Sequence, residues 1–250
     1  MRVKQPLISI ITAVDPSRID FFSETIASVS EAMFLAPSLE WIVQVDGKDA
    51  DCAKEALKAS AKIEANLVHC GPGATRNFAL ERASGMYVRN LDADDVLIPQ
   101  AFVAFSAFLR RYDFPAWAVT AAADMQGGNT TTGRKDLVRG PVVPARELLR
   151  LWTDKLPVHP TTLCIQSDIA RALGGWMGLP ASEDTGLLMA ASSLYDGCYL
   201  ETPTVRYRIS PIQMSSTEGW GKPGKSLKTR HSLIRRRAEC IERVMAPVDR

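Results

Sequence analysis

The chain has no apolar run approaching the ~20 residues needed to cross a bilayer. It has no C-x-x-C pair either. Its five cysteines (Cys52, Cys70, Cys164, Cys198, Cys240) are scattered and odd in number, which argues against a disulfide framework and for reduced thiols in a reducing compartment. Excess charge of one sign is missing too. Thirty Lys+Arg against 28 Asp+Glu leave a formal net charge of +2, so no global field points to nucleic acid or a membrane. Met1-Arg2-Val3-Lys4 is too short, and too soon followed by Pro6, to head a signal peptide. Together these absences predict a cytoplasmic protein that does not bind nucleic acid. Internal repeats and long low-complexity segments are also absent.

What is present is an alternation. Leu7 to Ile11 is a β-branched run that reads as a buried strand ending at Thr12-Ala13-Val14-Asp15. Phe21, Phe22, Ile26, Val29 and Met33 then recur at helical spacing. Trp41 to Val45 predicts a second strand closing on Asp46-Gly47, and Asp49 caps a helix to about Lys62. Asn66 to His69 predicts a third strand, and Gly71-Pro72-Gly73 turns the chain into a helix that stops at Gly85. Tyr87 to Leu91 is the fourth strand, and Pro99 opens the next helix. Further strands are predicted at Trp117–Ala122, before Ile165, near Cys198 to Glu201 and over Thr204 to Ile209. Helices are predicted from Pro144 to about Asp154, from Ser167 and from Ser182. This pattern predicts an α/β fold with a mostly parallel sheet flanked by helices. In such sheets ligands bind at the C-terminal strand edge, where Thr12 to Asp15, Asp46 and Asp92 to Asp95 all fall.

The stretch Leu91-Asp92-Ala93-Asp94-Asp95 carries the strongest chemical signal. Asp92 and Asp94, two apart after a strand, project the same way, and like charges so close call for a cation. A hard divalent ion with oxygen ligands, Mg²⁺ or Mn²⁺, fits and usually arrives with phosphates. Arg76 lies one helix upstream, and its planar fork suits carboxylate or phosphate. Glu183-Asp184 follow Ser182 at a helix start, where acids either complement the dipole or act as a general base. Arg206, Arg208, Gln213 and Ser215 could grip a diphosphate or sit on the surface. His159 has no second His or Cys beside it, so it is an acceptor-side candidate rather than a metal ligand.

From Gly71 to Asp95 the sequence resembles the central block of family 2 glycosyltransferases with the GT-A fold. Ser9-Ile10-Ile11-Thr12 is similar to that family's first strand, Asp46-Gly47 to its second strand end, and Ala181-Ser182-Glu183-Asp184 to its E-D motif. His159-Pro160-Thr161 and the segment from Tyr207-Arg208 to Met214-Ser215 resemble later family segments. The resemblance covers about Pro6 to Ser216. It implies a Rossmann-like nucleotide-binding half (about residues 1–97) and an acceptor half (98–216) in a single domain 1–216, with 217–250 a helical basic tail.

The resemblance also implies roles. Thr12, Ala13, Val14, Asp46, Arg76, Asp92, Ala93 and Arg208 would face the nucleotide sugar, Asp94 the metal, and Asp184, with Glu183 beside it, the proton transfer. The implied activity is metal-dependent, inverting transfer of one sugar from a UDP-linked donor to a hydroxyl on a glycan, lipid-linked or small-molecule acceptor. Three departures matter. The usual P-T-Y-N loop is here Thr12-Ala13-Val14-Asp15, Val45 replaces the first acid of D-D-G, and the Q-x-x-R-W signature of processive members is absent. Two rivals remain: a haloacid dehalogenase-like phosphatase using Asp92 as nucleophile, and a non-catalytic nucleotide-sugar-binding module. A nucleotidyltransferase would want a glycine-rich loop after strand one, and Thr12 to Arg18 contains no glycine. The 126–139 segment reads as a surface loop, hairpin or lid. Nine Lys/Arg against four Asp/Glu from Glu218 to Arg250 make the tail basic, and the reading leaves it either packed on the body or touching the anionic inner membrane face.

Overall fold

The computed structural model describes residues 6–133, 135–153, 155–210 and 225–245. Strands β1 (Ile8–Val14), β2 (Leu39–Val45), β3 (Lys62–Ala65), β4 (Tyr87–Asn90), β5 (Val96–Leu97), β6 (Trp117–Thr120), β7 (Ala123–Gln126), β8 (Asn129–Thr132), β9 (Val142–Val143), β10 (Cys164–Gln166), β11 (Gly197–Leu200) and β12 (Val205–Arg208) form two sheets. Helices are α1 (Phe22–Leu35), α2 (Pro72–Arg82), α3 (Pro99–Arg111), α4 (Glu147–Leu151), α5 (Ser167–Ala172), α6 (Glu183–Leu194) and α7 (Lys225–Met245).

The main sheet has eight strands in the order β3-β2-β1-β4-β10-β6-β11-β9. All but β10 and β9 run in the same direction, as the predicted mostly parallel sheet requires. A smaller sheet, β5-β12-β7-β8, lies beside it. Side chains that alternate along a strand feed two cores. Ile8, Ile10, Trp41, Val43 and Tyr87 pack with Phe102 and Phe105 on one face. Ile11, Ile42 and Val88 pack with Trp117, Leu187 and Ile234 on the other. Phe22, Thr25, Val29 and Ala32, spaced by three or four, are the buried stripe of α1.

Several expectations are corrected. The third strand is Lys62–Ala65, not Asn66–His69. Leu67 and Val68 are 83% and 65% exposed, whereas the Lys-Ile-Glu-Ala run alternates as an edge strand should. The segment expected as an α-helix from Asp49 is a 3₁₀ helix, Ala50–Ala59, although Asp49 does cap it by accepting from the Asp51 N–H. The helix expected from Pro144 is shortened to α4. Of the 126–139 segment, residues to 132 complete the β7–β8 hairpin, whose strand Asn129–Thr132 is exposed throughout.

The basic tail is helical over α7 and packs along α6, with Ile234 and Ala238 buried. Arg235 donates to the carbonyls of Leu149 and Trp152, and Arg237 to those of Gly186 and Leu173. These two guanidiniums therefore satisfy helix carbonyls of the body, while Lys228, Arg236 and Arg243 face outward. Gln213 and Ser215 lie outside the described residues. No helix among those described is long and apolar enough to cross a membrane.

Candidate active site

The C-terminal edge of β1, β2 and β4, the N-terminus of α6 and the first turns of α7 enclose a cleft of about 990 Å³. Ala13, Val14, Asp46, Arg76, Asp92, Ala93, Asp94, His159, Glu183 and Asp184 all line it, so residues spread over 170 positions of sequence meet at one place. Three expected residues among those described do not line it, one being Arg206, which sits in β12 paired with Val96 and Ala123. Thr12 is still inside β1, fully buried, with its hydroxyl accepting from Trp41 Nε1 at 3.0 Å. Arg208 lies behind the wall. Its guanidinium stacks 3.9 Å from the Phe21 ring and donates to the Asp94 carbonyl and to Glu24, each at 2.8 Å.

Asp46 ends β2, and its carboxylate organises the loop that follows β3. Oδ1 accepts from the Cys70 N–H (2.7 Å) and from Asn66 (3.1 Å), and Oδ2 from the Gly71 N–H (2.9 Å). His69 Nδ1 lies 3.0 Å from Oδ2. Burial alone would raise this carboxyl, but the donors from Cys70, Asn66 and Gly71 outweigh it and hold it below its usual value. Gly71 takes φ +83° at the entrance to α2, a left-handed turn suited to glycine.

Arg76, on α2, is the hub. It is 5% exposed and donates to Asp92 Oδ1 at 2.6 Å and to Glu183 Oε1. Burial would lower its pKa, but Glu183, Asp92 and Asp184 more than compensate and raise it. The two acids it joins come from different ends of the fold, the end of β4 and the start of α6. Asp95 turns inward instead. It is buried, and its Oδ1 accepts from the Arg208 N–H at 2.8 Å. Burial, then the charges of Asp92 and Asp94, lift it well above the carboxylate range.

Two carboxyls are poised near neutrality. Burial, then the Asp92 charge, pushes Asp94 up to about 6. Burial, then Glu183, pushes Asp184 up to about 7 against the opposing pull of Arg76. Ser182 precedes α6 with φ 69° and makes no side-chain cap, so the orphan donors of α6 are met in part by Asp184, which accepts from the Thr185 N–H at 2.6 Å. The donor set around Asp92 and Asp94 is all oxygen, as Mg²⁺ or Mn²⁺ prefers, and among the described residues no group of three His, Cys, Asp or Glu could hold an ion alone. That composition fits an ion sharing its shell between a carboxylate, waters and substrate phosphates.

Arg18, Phe21, His69, Tyr207, Arg230 and His231 also line the cleft without having been expected there. Phe21 comes from the chain just before α1, and its ring also carries the Arg208 guanidinium. Leu227, Arg230, His231 and Ile234 share one helical face of α7.

The glycosyl transferase family 2 model matches residues 10–169. A Bacillus subtilis strain 168 protein, "Putative teichuronic acid biosynthesis glycosyltransferase TuaG", is 35% identical over 97 residues, which is 36% of this chain and 37% of that protein. The crystal structure of S. aureus TarS 1-349 in complex with UDP-GlcNAc superposes with a TM-score of 0.73 at 16% identity, covering 97% of this chain and 68% of that one. The corresponding complex with UDP gives a TM-score of 0.66 at 18% identity, over 82% of this chain and 61% of the other. These solved structures share the GT-A glycosyltransferase architecture. The family match spans well over half of the sequence and includes Asp46, Arg76 and the Asp92–Asp95 acids: this chain belongs to glycosyl transferase family 2.

Proposed function

We propose that the protein moves one sugar from a nucleoside-diphosphate sugar, UDP-linked, to a hydroxyl acceptor with inversion at the anomeric carbon. The observation that carries this reading is the Arg76 bridge, which puts a nucleotide-side acid, Asp92, and the α6 acids in one cleft. The relatives add support: the TarS structures hold UDP and UDP-GlcNAc. The phosphatase alternative is set aside by family membership. Asp92 is ion-paired to Arg76, a poor setting for a free nucleophile.

In this reading the loop held by Asp46 receives the base, and Arg76 and Asp92 order the ribose side. Asp94, with Asp92 adjoining, would hold Mn²⁺ or Mg²⁺, which when bound would neutralise charge on the departing diphosphate. Glu183 is committed to Arg76, which leaves Asp184 to work. A carboxyl near 7 suits a general base at neutral pH. Asp184 takes the proton of the acceptor hydroxyl while that oxygen attacks the anomeric carbon from the face opposite the diphosphate. The C–O bond to the diphosphate breaks, and the product carries inverted configuration. Absence of the Q-x-x-R-W signature supports a single transfer per encounter.

The test is a panel of nucleotide sugars assayed for Mn²⁺-dependent release of nucleoside diphosphate, followed by transfer assays. Asp94→Ala and Asp184→Asn should each abolish transfer while far-UV circular dichroism stays unchanged. Transfer at the wild-type rate by either variant refutes the assignment. Retained nucleotide binding with neither hydrolysis nor transfer in the wild type would favour the non-catalytic module.

A further inference from the structure

α7 adds a cationic side chain, Arg230, to the lining of the cleft. One stripe of α7 runs Leu227, Arg230, His231, Ile234, Ala238. Its C-terminal part packs into the core, where Ile234 and Ala238 are 0% and 1% exposed. Its N-terminal part, Leu227, Arg230 and His231, lines the cleft. Arg230 is itself 4% exposed, so a guanidinium is buried on a stripe whose other fully buried members, Ile234 and Ala238, are aliphatic. Withdrawing that charge from water costs several kcal/mol, which an aliphatic residue would avoid. Lys155 joins the cleft lining as an exposed amine. His231 packs 4.9 Å from Trp152, and burial, then Arg230 and Arg235, lower its pKa, so at neutral pH it offers a neutral ring.

Arg230 interacts with Glu183, at the α6 end where the acceptor hydroxyl must meet Asp184. Its position is held by an Nη1 bond to Ser226 Oγ at 2.7 Å within α7. A guanidinium fork matches two oxygens of a carboxylate or phosphate.

Resting on the glycosyl-transfer reading above, we infer that the acceptor is anionic: it carries a phosphate or carboxylate near the hydroxyl that is glycosylated, and Arg230, with Lys155 at the rim, recognises that oxyanion. Arg230 is thus an acceptor-specificity residue contributed by the C-terminal helix.

The experiment uses the full chain and three aryl glycosides that differ only at C6: a glucoside, its 6-phosphate and the matching glucuronide. Their binding is measured by calorimetry with and without UDP. The expected result is tighter binding of one or both anionic glycosides than of the glucoside by about 10- to 100-fold, the scale of one charge-assisted fork. Which of the two leads tells phosphate from carboxylate. Arg230→Gln should erase the preference, Arg230→Lys should retain part of it, and both should bind UDP with wild-type affinity, which also reports that the fold is intact. Equal binding of all three, or none, by the wild type overturns the inference. So does a preference that survives Arg230→Gln, or loss of UDP affinity in a folded Arg230→Gln, which would make Arg230 a diphosphate contact. Failure of the wild type to bind UDP counts instead against the donor reading and leaves the glycoside ranking, taken without nucleotide, to stand alone.

Discussion

If Asp184 is a base held near neutrality by its surroundings, the protein is less stable for having it ionised, and removing the charge should stabilise the fold. The carboxyl moves from 3.8 to about 7 on folding. A rise of about three units corresponds to ~4 kcal/mol of penalty on the ionised form. Asp184 is partly open to the cleft, so solvent screens part of this, and about 2 kcal/mol is the working figure. The sign follows from proton linkage. Between the unfolded and folded pKa values the native state binds more protons, so this group's contribution to wild-type stability falls as pH rises from about 4 to about 7 and levels off above. Asn cannot ionise, and its Oδ1 can still accept from the Thr185 N–H. Asp184→Asn should therefore match the wild type near pH 4 and exceed it above pH 7. For a chain of this size the gain is ~4–8 °C in Tm. Paired thermal melts at several pH values, together with transfer assays, give the readout. A Tm gain that does not depend on pH, or a loss at pH 8, would refute the reasoning even if the variant were inactive. In the wild type, kcat/KM should fall below about pH 7 as the base protonates.

Three further outcomes follow from other parts of the site and the fold. Arg76→Met leaves the buried Glu183 and the partly exposed Asp92 without their cation and should cost ~3–5 kcal/mol by denaturant unfolding, most of it from Glu183. Adding Glu183→Gln should recover part of that, with a coupling of ~1–3 kcal/mol in a double-mutant cycle, and strict additivity would disprove the bridge. Arg208→Ala removes the stack on Phe21 and the support of the Asp94 carbonyl, and should raise the donor KM about tenfold with the acceptor KM unchanged, equivalent to ~1.4 kcal/mol. Gly197→Ala places a Cβ 2.2 Å from the Trp117 ring, so overpacking should cost ~1–3 kcal/mol, read as a lower denaturant midpoint with kcat/KM of the folded protein unaltered.

The parts of this fold that were legible in the sequence are those where local pattern and burial agree. β1 and β2 are buried almost throughout and carry long apolar stretches, and α2 and α3 carry proline at their first positions. The misplaced third strand shows the limit. Leu67 and Val68 have strand propensity but lie exposed on a loop whose shape is set by Asp46, a contact across 24 residues that no local pattern announces. Arg208 followed a strand, as a phosphate-binding arginine would, yet Glu24 and Phe21 turn it away from the cleft. Arg230 and His231 were hidden for a different reason. The sequence left their helix either packed on the body or at a membrane face, and its packing along α6 is what brings them to the site.

Arg76, expected from the sequence beside base and ribose, bridges two acids in the structure. As a neighbour of base and ribose it would need only one charged end, and lysine could serve. Its two nitrogens instead reach acids on two separate elements, Nη2 to Asp92 after β4 and Nη1 to Glu183 at the start of α6. A point charge on a flexible stem cannot fix two carboxylates in one plane, whereas a rigid fork can. The distance between the nucleotide acids and the proposed base is thereby set by the width of one guanidinium. Burial makes that setting firm, since neither carboxylate can leave without stranding a charge. Any group that displaces Asp92 on the nucleotide side must act on Glu183, and through it on Asp184 next in the chain. Arg76→Lys should accordingly impair the dependence of kcat on the acceptor as well as the affinity for the donor. Loss of donor affinity alone would reduce Arg76 to the nucleotide contact that its position in the sequence first suggested.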